Sequence, residues 1–409
     1  MTDHHTPDHA QLEARYRALL VAQFRTLRLE GLAADARPIV LPLEEVYVQL
    51  RTVAAVPEAA DSFTPEERRL LKLLEERRVP DAELREAQLR LDALRHQRWT
   101  HERPERFPIA AALADPDKRG LVILGDPGSG KTTLLHLLAL LFAQGPQAVA
   151  QHTPARGADA DRLPIFAPLA AYDAALDDQP DLDLPAFLAH FYARFHDLPG
   201  LAPIFAAAIA AGRALLLLDG LDEVRSEARR STVAERVTRF VQAALGRGNR
   251  AVVTSRISGY RVAPLGGELP HVTVLDFGQE EITTFTRQWQ RAVRRAQAGG
   301  ELSAEAERWA AEEERRLLDE ISSTPGVERL AVNPLLLTLL VLLREQRGSL
   351  PRRRVELYDA FVATLLQCWE ELRRRSAHQH DRPHPVDGLV ASDARVRDAF
   401  VACLADHED

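Results

Sequence analysis

Residues Leu121–Thr133, LVILGDPGSGKTT, leave the surrounding chain few folds to choose from. Leu121-Val122-Ile123-Leu124 is a short run with no polar position, as expected of a strand covered on both faces. Gly125 opens a glycine-rich turn, and from Thr132 onward Leu134, Leu135, Leu137, Leu138, Leu141 and Phe142 make an apolar helix. Gly125-x-x-x-x-Gly130-Lys131-Thr132 therefore fits the phosphate-binding loop in the strand–loop–helix context that the pattern requires. Gly125, Gly128 and Gly130 let the backbone approach an anion closely. The loop amides and the helix N-terminus supply partial positive charge. Lys131 would reach the β- and γ-phosphates, and the Thr132 hydroxyl would ligate Mg²⁺. Of 52 basic residues lysine supplies three, Lys72, Lys118 and Lys131, and arginine the rest. A chain that otherwise uses arginine has kept a compact ammonium where a point charge suits phosphate. Gly125, Asp126, Pro127, Gly128, Ser129, Gly130, Lys131, Thr132 and Thr133 form the candidate nucleotide-binding set.

A second signal follows at Ala214–Glu223, ALLLLDGLDE. Four leucines predict a central parallel strand, and Asp219 stands at its carboxyl end, where ligands of open α/β sheets bind. There an acid would hold Mg²⁺, directly or through water. Gly220 leaves room beside the phosphates, and Asp222 and Glu223 add two carboxylates, one of which could orient or deprotonate the attacking water. Arg250–Thr254, RAVVT, reads as another buried strand, with Arg256 just beyond it in position to sense a γ-phosphate. Arg162–Leu169 and His271–Phe277 read as further strands, and Leu184–Phe195, Ile204–Ala211 and Glu227–Leu245 as helices. Residues 144–161 and 172–183, rich in Ala, Asp, Pro and Gly, read as loops. The β/α alternation predicts a mainly parallel sheet flanked by helices, with right-handed crossovers.

GDPGSGKTT, LLLLDGLDEV, VVTSR and NPLLLTLL together resemble the NACHT family of STAND-class signalling NTPases over roughly residues 100–375. The small Gly220 followed by the acid pair Asp222-Glu223 is the most telling feature. The resemblance implies a P-loop NTPase fold that binds ATP or ADP with Mg²⁺. It implies phosphate and Mg²⁺ binding by Gly125–Thr132, a Mg²⁺ and hydrolysis site of Asp219, Asp222 and Glu223, and a sensor at Arg256. It also implies that Pro334 packs against the nucleotide base; the alternative is a proline that only opens a core helix. In the family a small helical domain and then a winged-helix domain follow, and a histidine often touches the ADP β-phosphate. His378, His380 and His384 lie in a polar segment that singles out none of them.

On this reading the fold class is α/β, with an N-terminal helical region (1–99), a nucleotide-binding domain (100–277), a helical domain (278–349) and the start of a winged-helix-like domain (350–409). In the N-terminal region, Leu12, Tyr16, Leu19, Leu20, Phe24 and Leu27 follow helical spacing, with Gly31 suited to the helix end. Pro38–Leu50 carries two prolines and the alternating Val46, Val48 and Leu50, as in a short strand or an extended linker. Thr64–Glu67 is a capping box before a charged helical stretch to about Arg98. Pro104 and Pro108 mark a linker. Beyond Gly278 the pattern is helical, through Glu280–Gln297, Leu302–Ile321, Pro325–Val332, the helix after Asn333, and Val355–Leu372.

A net charge of −8 and the lack of interleaved basic and aromatic residues give no strong nucleic-acid signal. Cys368 and Cys403 lack metal spacing and suggest a reducing compartment. MTDHHTPDHAQ has no basic-then-apolar signal pattern. The apolar run Leu335–Leu343 is too short to span a bilayer. A cytoplasmic protein is expected. No period of 20–50 residues occurs, so either the chain is a fragment or its sensing and effector roles belong to partners.

Three functions are open to such a chain. The first is a slow, regulatory ATPase switch that self-associates on ATP binding, in signalling or antiphage defence. The second is a motor-type ATPase acting on nucleic acid or protein. The third, a non-hydrolysing scaffold, fits worst with an intact Lys131, Thr132, Asp219 and Glu223.

Overall fold

A computed structural model of the chain describes residues 9–29, 39–54, 106–115, 117–155, 157–267, 269–351 and 356–357, with positions 69, 83 and 90. Its organising element is a seven-stranded sheet. A separate antiparallel ribbon pairs β1 (Thr26–Leu29) with β2 (Ile39–Pro42). In the main sheet, β3 (Arg51–Val53), β4 (Arg106–Pro108), β5 (Gly120–Leu124), β6 (Leu163–Pro168), β7 (Ala214–Asp219), β8 (Arg250–Ser255) and β9 (His271–Val274) stand in the order β4-β3-β9-β5-β8-β7-β6. The five strands from β9 to β6 are mutually parallel; β3 and β4 join antiparallel at one edge. Every residue of β5, β7 and β8 is buried, which explains their unbroken apolar runs: helices on both faces leave no wet side to mark by alternation.

The strand β5 sits centrally, and the helix Lys131–Gln144 leaves its carboxyl end. Because β5 to β9 run parallel, Gly125, Asp219 and Thr254 all emerge at one rim of the sheet. The strand β8 lies between β5 and β7, so Thr254 stands between the loop and Asp219.

Several expectations need correction. The first helix is His9–Phe24; it ends before Leu27, which lies in β1. Pairing with β2 captures Leu27 for the ribbon although its spacing continues the helical stripe. Around residues 38–50 the strand is Ile39–Pro42, and a short helix, Leu43–Val46, follows Pro42 directly. Residues 104–108 are not only a linker, since Arg106–Pro108 forms β4. The sheet thus draws on chain from both sides of residue 100. Residues 144–161 contain a helix, Pro146–His152, begun by a proline at its first turn.

Residues 172–183 fall largely in the helix Leu169–Asp178. Its buried face, Leu169, Tyr172, Asp173 and Leu176, keeps helical spacing, and its alanines are strong helix formers. The acids there, which suggested a loop, are paired across space. Asp173 and Asp177 both bind Arg225 and Arg229.

The helix His9–Phe24 packs on the helix that leaves the phosphate loop. Tyr16 donates its hydroxyl to the Pro164 carbonyl at 2.9 Å, and Arg17 donates to Phe142 O at 2.7 Å. Phe24 stacks on His136, whose burial presses its pKa down to about 4. The C-terminal helices Gln279–Ala298, Ala304–Ser323, Pro325–Ala331 and Pro334–Arg347 form a bundle joined to the sheet through Phe277, whose N–H donates to Val332 O at 2.8 Å. Gly31, the charged stretch 64–98 apart from its three described positions, and His378, His380 and His384 lie outside the described residues, as does all of Val355–Leu372 except 356–357.

Candidate functional site

The loop between β5 and its helix begins at the buried Gly125. Gly128 and Gly130 hold φ of 77° and 91°, in the left-handed region where a side chain would be strained. Lys131 folds back over the loop: Nζ donates to Gly125 O at 2.7 Å, Asp126 O at 2.9 Å and Ser129 Oγ at 3.3 Å. Burial lowers its pKa, and the charges of Asp222 and Asp219 oppose that shift. The ammonium is thus placed between the loop and the acidic rim, held by weak neutral acceptors that a phosphate oxygen would replace.

That rim is built from β7 and β8. Asp219, 7 % exposed, ends β7. Thr254 donates its hydroxyl to Asp219 Oδ1 at 2.5 Å and accepts the Gly220 N–H at 2.9 Å. Burial pushes the Asp219 carboxyl up, while hydrogen bonds from Thr254 and Thr132 pull it down. Gly220 has φ of 73°, and a Cβ there would lie 2.9 Å from the Glu223 carboxyl. The turn Leu221–Glu223 carries the acid pair. Asp222 spends both oxygens on Arg256, taking its backbone N–H at 2.7 Å and its Nε at 3.0 Å. Glu223 opens toward the crevice. Desolvation there, with the charges of Asp219 and Asp222 behind it, raises its pKa to about 7.

One cavity of about 450 Å³ joins these parts. Pro127 to Thr133, Asp219, Gly220, Asp222, Glu223, Thr254, Arg256 and Pro334 all line it. Gly125 and Asp126 meet it through the carbonyls that hold Lys131. The candidate site residues Gly125 to Thr133, Asp219, Asp222, Glu223, Arg256 and Pro334 therefore line this cavity or touch a residue that does.

The sequence reading missed the cavity's apolar half. Leu43, Val46, Val48 and Leu50 come from the stretch before β3, and Phe277 and Phe285 come from the start of the helical bundle. The alternation of Val46, Val48 and Leu50 was visible, but its partner was not. Thr254 and Gly259 were missed too. A Cβ on Gly259 would sit 2.3 Å from Asp222 Cβ, so the rim closes only around a bare backbone there.

The donor set suits a hard cation. Thr132 and Asp219, joined by a side-chain hydrogen bond, both line the cavity beside the loop, and Mg²⁺ is commonly held by one or two protein oxygens plus phosphates and water. Among the described residues no cluster of three or more His, Cys, Asp or Glu forms an all-protein metal cage. The lining is thus of two kinds: the loop with Lys131 and the carboxylates, and the apolar side chains with Pro334 and Leu335.

No helix of the described residues is long and apolar enough to cross a membrane. No curated protein matches the chain. Residues 201–293 match the family model described as the NACHT domain, a span that begins beyond the phosphate loop and takes in β7, β8 and β9. Over that span the chain is similar to the NACHT domain, and a mainly parallel sheet flanked by helices, with the loop on its central strand, is the α/β fold of a P-loop NTPase.

Proposed function

We propose that the chain is a switch that binds ATP with Mg²⁺, hydrolyses it slowly and self-associates in the ATP-bound form. One observation carries the reading: Lys131, Asp219 and Glu223 line the same cavity as a set of apolar side chains that could take a base. The loop amides and Lys131 bind the phosphates. Thr132 and Asp219 hold Mg²⁺, which would neutralise charge on the β- and γ-phosphates. Glu223 takes the role of general base toward the attacking water, because its pKa of about 7 lies near working pH. Arg256, anchored to Asp222, senses the γ-phosphate, and Pro334 meets the base.

The switch follows from where the cavity sits. Its walls come from the sheet domain and from the helical domain over 278–349, so a ligand that contacts both biases how they sit together. ADP would hold them closed, and ATP would favour an open form that associates. A role in signalling or antiphage defence rests on the family resemblance.

Thermal unfolding with ADP, ATP and Mg²⁺, paired with native mass spectrometry in each state, tests the reading. Stabilisation by both nucleotides and larger assemblies with a non-hydrolysable ATP analogue are expected. A monomer in every state would exclude the switch. Hydrolysis that rises steeply with DNA or RNA would support a motor instead.

A further inference from the structure

Asn333 stands where the helical bundle meets the phosphate loop. Its Oδ1 caps the helix Pro334–Arg347, accepting from Leu335 N at 3.0 Å and Leu336 N at 3.3 Å. Its Nδ2 donates in the other direction, to Pro127 O at 2.9 Å. Beside it, the Leu335 N–H also reaches Gly128 O at 3.2 Å. The amide orientation is fixed by these neighbours, two N–H groups on one side and a carbonyl on the other. The fit is close: a Cβ on Gly128 would lie 2.7 Å from Asn333 Oδ1 and 2.9 Å from Leu335 Cβ. Two successive loop carbonyls are therefore held by donors from one helix start, 206 residues further along the chain.

A planar trans peptide puts its C=O and N–H on opposite sides. Turning the Pro127 and Gly128 carbonyls toward the helix turns the Gly128 and Ser129 N–H groups away from it. The Ser129 N–H shows the result, pointing across the loop to Asp126 O at 3.2 Å. We propose that Asn333 is a positioning residue for the phosphate loop: its Nδ2 tether sets the direction of the amides that bind phosphate. This rests on reading that loop as a phosphate site. The coupling is reciprocal, so phosphate in the loop must strengthen the docking of the helix start by the same factor.

Asn333→Asp separates the cap from the tether. Aspartate caps a helix about as well as asparagine, but it has no N–H to give Pro127. Asn333→Ser is the second variant; it caps and is too short to reach the loop. The probes are ADP, inorganic pyrophosphate and adenosine, titrated by calorimetry with Mg²⁺ against the full chain, with amide exchange at Leu335–Leu337. Both variants keep the cap, so the ligand-free melting temperature should fall by no more than the loss of one hydrogen bond. They should bind ADP and pyrophosphate about three- to tenfold more weakly, the worth of one hydrogen bond, and adenosine as before. ADP should slow exchange at Leu335–Leu337 in the wild type and lose that effect in the variants. Unchanged ADP affinity, or an equal loss for adenosine, overturns the tether. A wild type that responds to neither ADP nor pyrophosphate overturns the phosphate site itself, and the tether with it.

Discussion

Thr254 and Asp219 stand on adjacent strands with 2.5 Å between hydroxyl and carboxylate, and the Gly220 N–H closes the same knot at 2.9 Å. One hydroxyl thus fixes both the acid that would meet Mg²⁺ and the turn that carries Asp222 and Glu223. Thr254→Val keeps the shape and removes the knot, leaving a buried N–H unpaired. Such a group costs about 1–3 kcal/mol, so the melting temperature should fall. Because Asp219 and Glu223 are then free to turn, turnover should fall by about tenfold or more for a loss of about 1.4 kcal/mol in the transition state. ADP affinity should change little. Phosphate-release assays and calorimetry on the same preparation check both halves.

Lys131→Ala should abolish stabilisation by ATP and ADP. The ammonium already sits at the loop with three neutral acceptors, and among the described residues that line the cavity the other full positive charge is Arg256, which Asp222 holds. Lys131→Arg should not rescue binding, since a planar guanidinium cannot occupy a site made for a compact ammonium. Differential scanning fluorimetry with and without Mg²⁺ decides it. An unchanged shift in Lys131→Ala means the nucleotide binds elsewhere.

Glu223→Gln should bind ATP as the wild type does and hydrolyse it slower by about 10²–10⁴, the usual worth of a general base. Asp222→Asn should behave differently. Both Asp222 oxygens serve Arg256, so its loss frees the guanidinium and loosens the turn. Weaker binding and slower hydrolysis together are expected there. If Glu223→Gln turns over at the wild-type rate, the base is another group.

How much of this was legible in the sequence depended on how far apart the interacting residues lie. The strand–loop–helix at 120–144 and the helices Leu184–Phe195 and Glu227–Leu245 are written in local spacing, and the structure places them where that spacing does. The β3 and β4 strands are three residues each; β3 pairs with the edge of β9 and β4 with β3 in turn, and no local pattern marks either. The same holds for the apolar wall at Leu43–Leu50, whose partners Phe277 and Phe285 lie more than two hundred residues away in the chain. Asp173 was hidden for a related reason. An aspartate in a helix interior argues for a loop unless its partners are known, and they lie at positions 225 and 229.

Asp173 supplies the pH dependence. Its side chain is 1 % exposed. Burial alone would raise its carboxyl, but hydrogen bonds from Arg225 and Arg229 hold it below the ordinary value of 3.8. A depressed folded-state pKa contributes stability that is present above the unfolded value and lost as pH falls through the folded one. The contribution is thus complete at neutral pH and disappears only below about pH 4. Asp173→Asn should lower stability at pH 7 by about 2–3 kcal/mol; the arginines left behind reach solvent, so the cost stays under that of stranding a fully buried charge. The gap between variant and wild type should close as pH drops below 4, because the wild type then protonates the same carboxyl. Since Arg225 lies two residues past Glu223, hydrolysis should slow along with the loss of stability, while Lys131-dependent binding persists. Urea melts at pH 7 and pH 3, beside phosphate release at pH 7, measure each part. A gap that stays constant with pH would mean that Asp173 acts through packing and not through its charge.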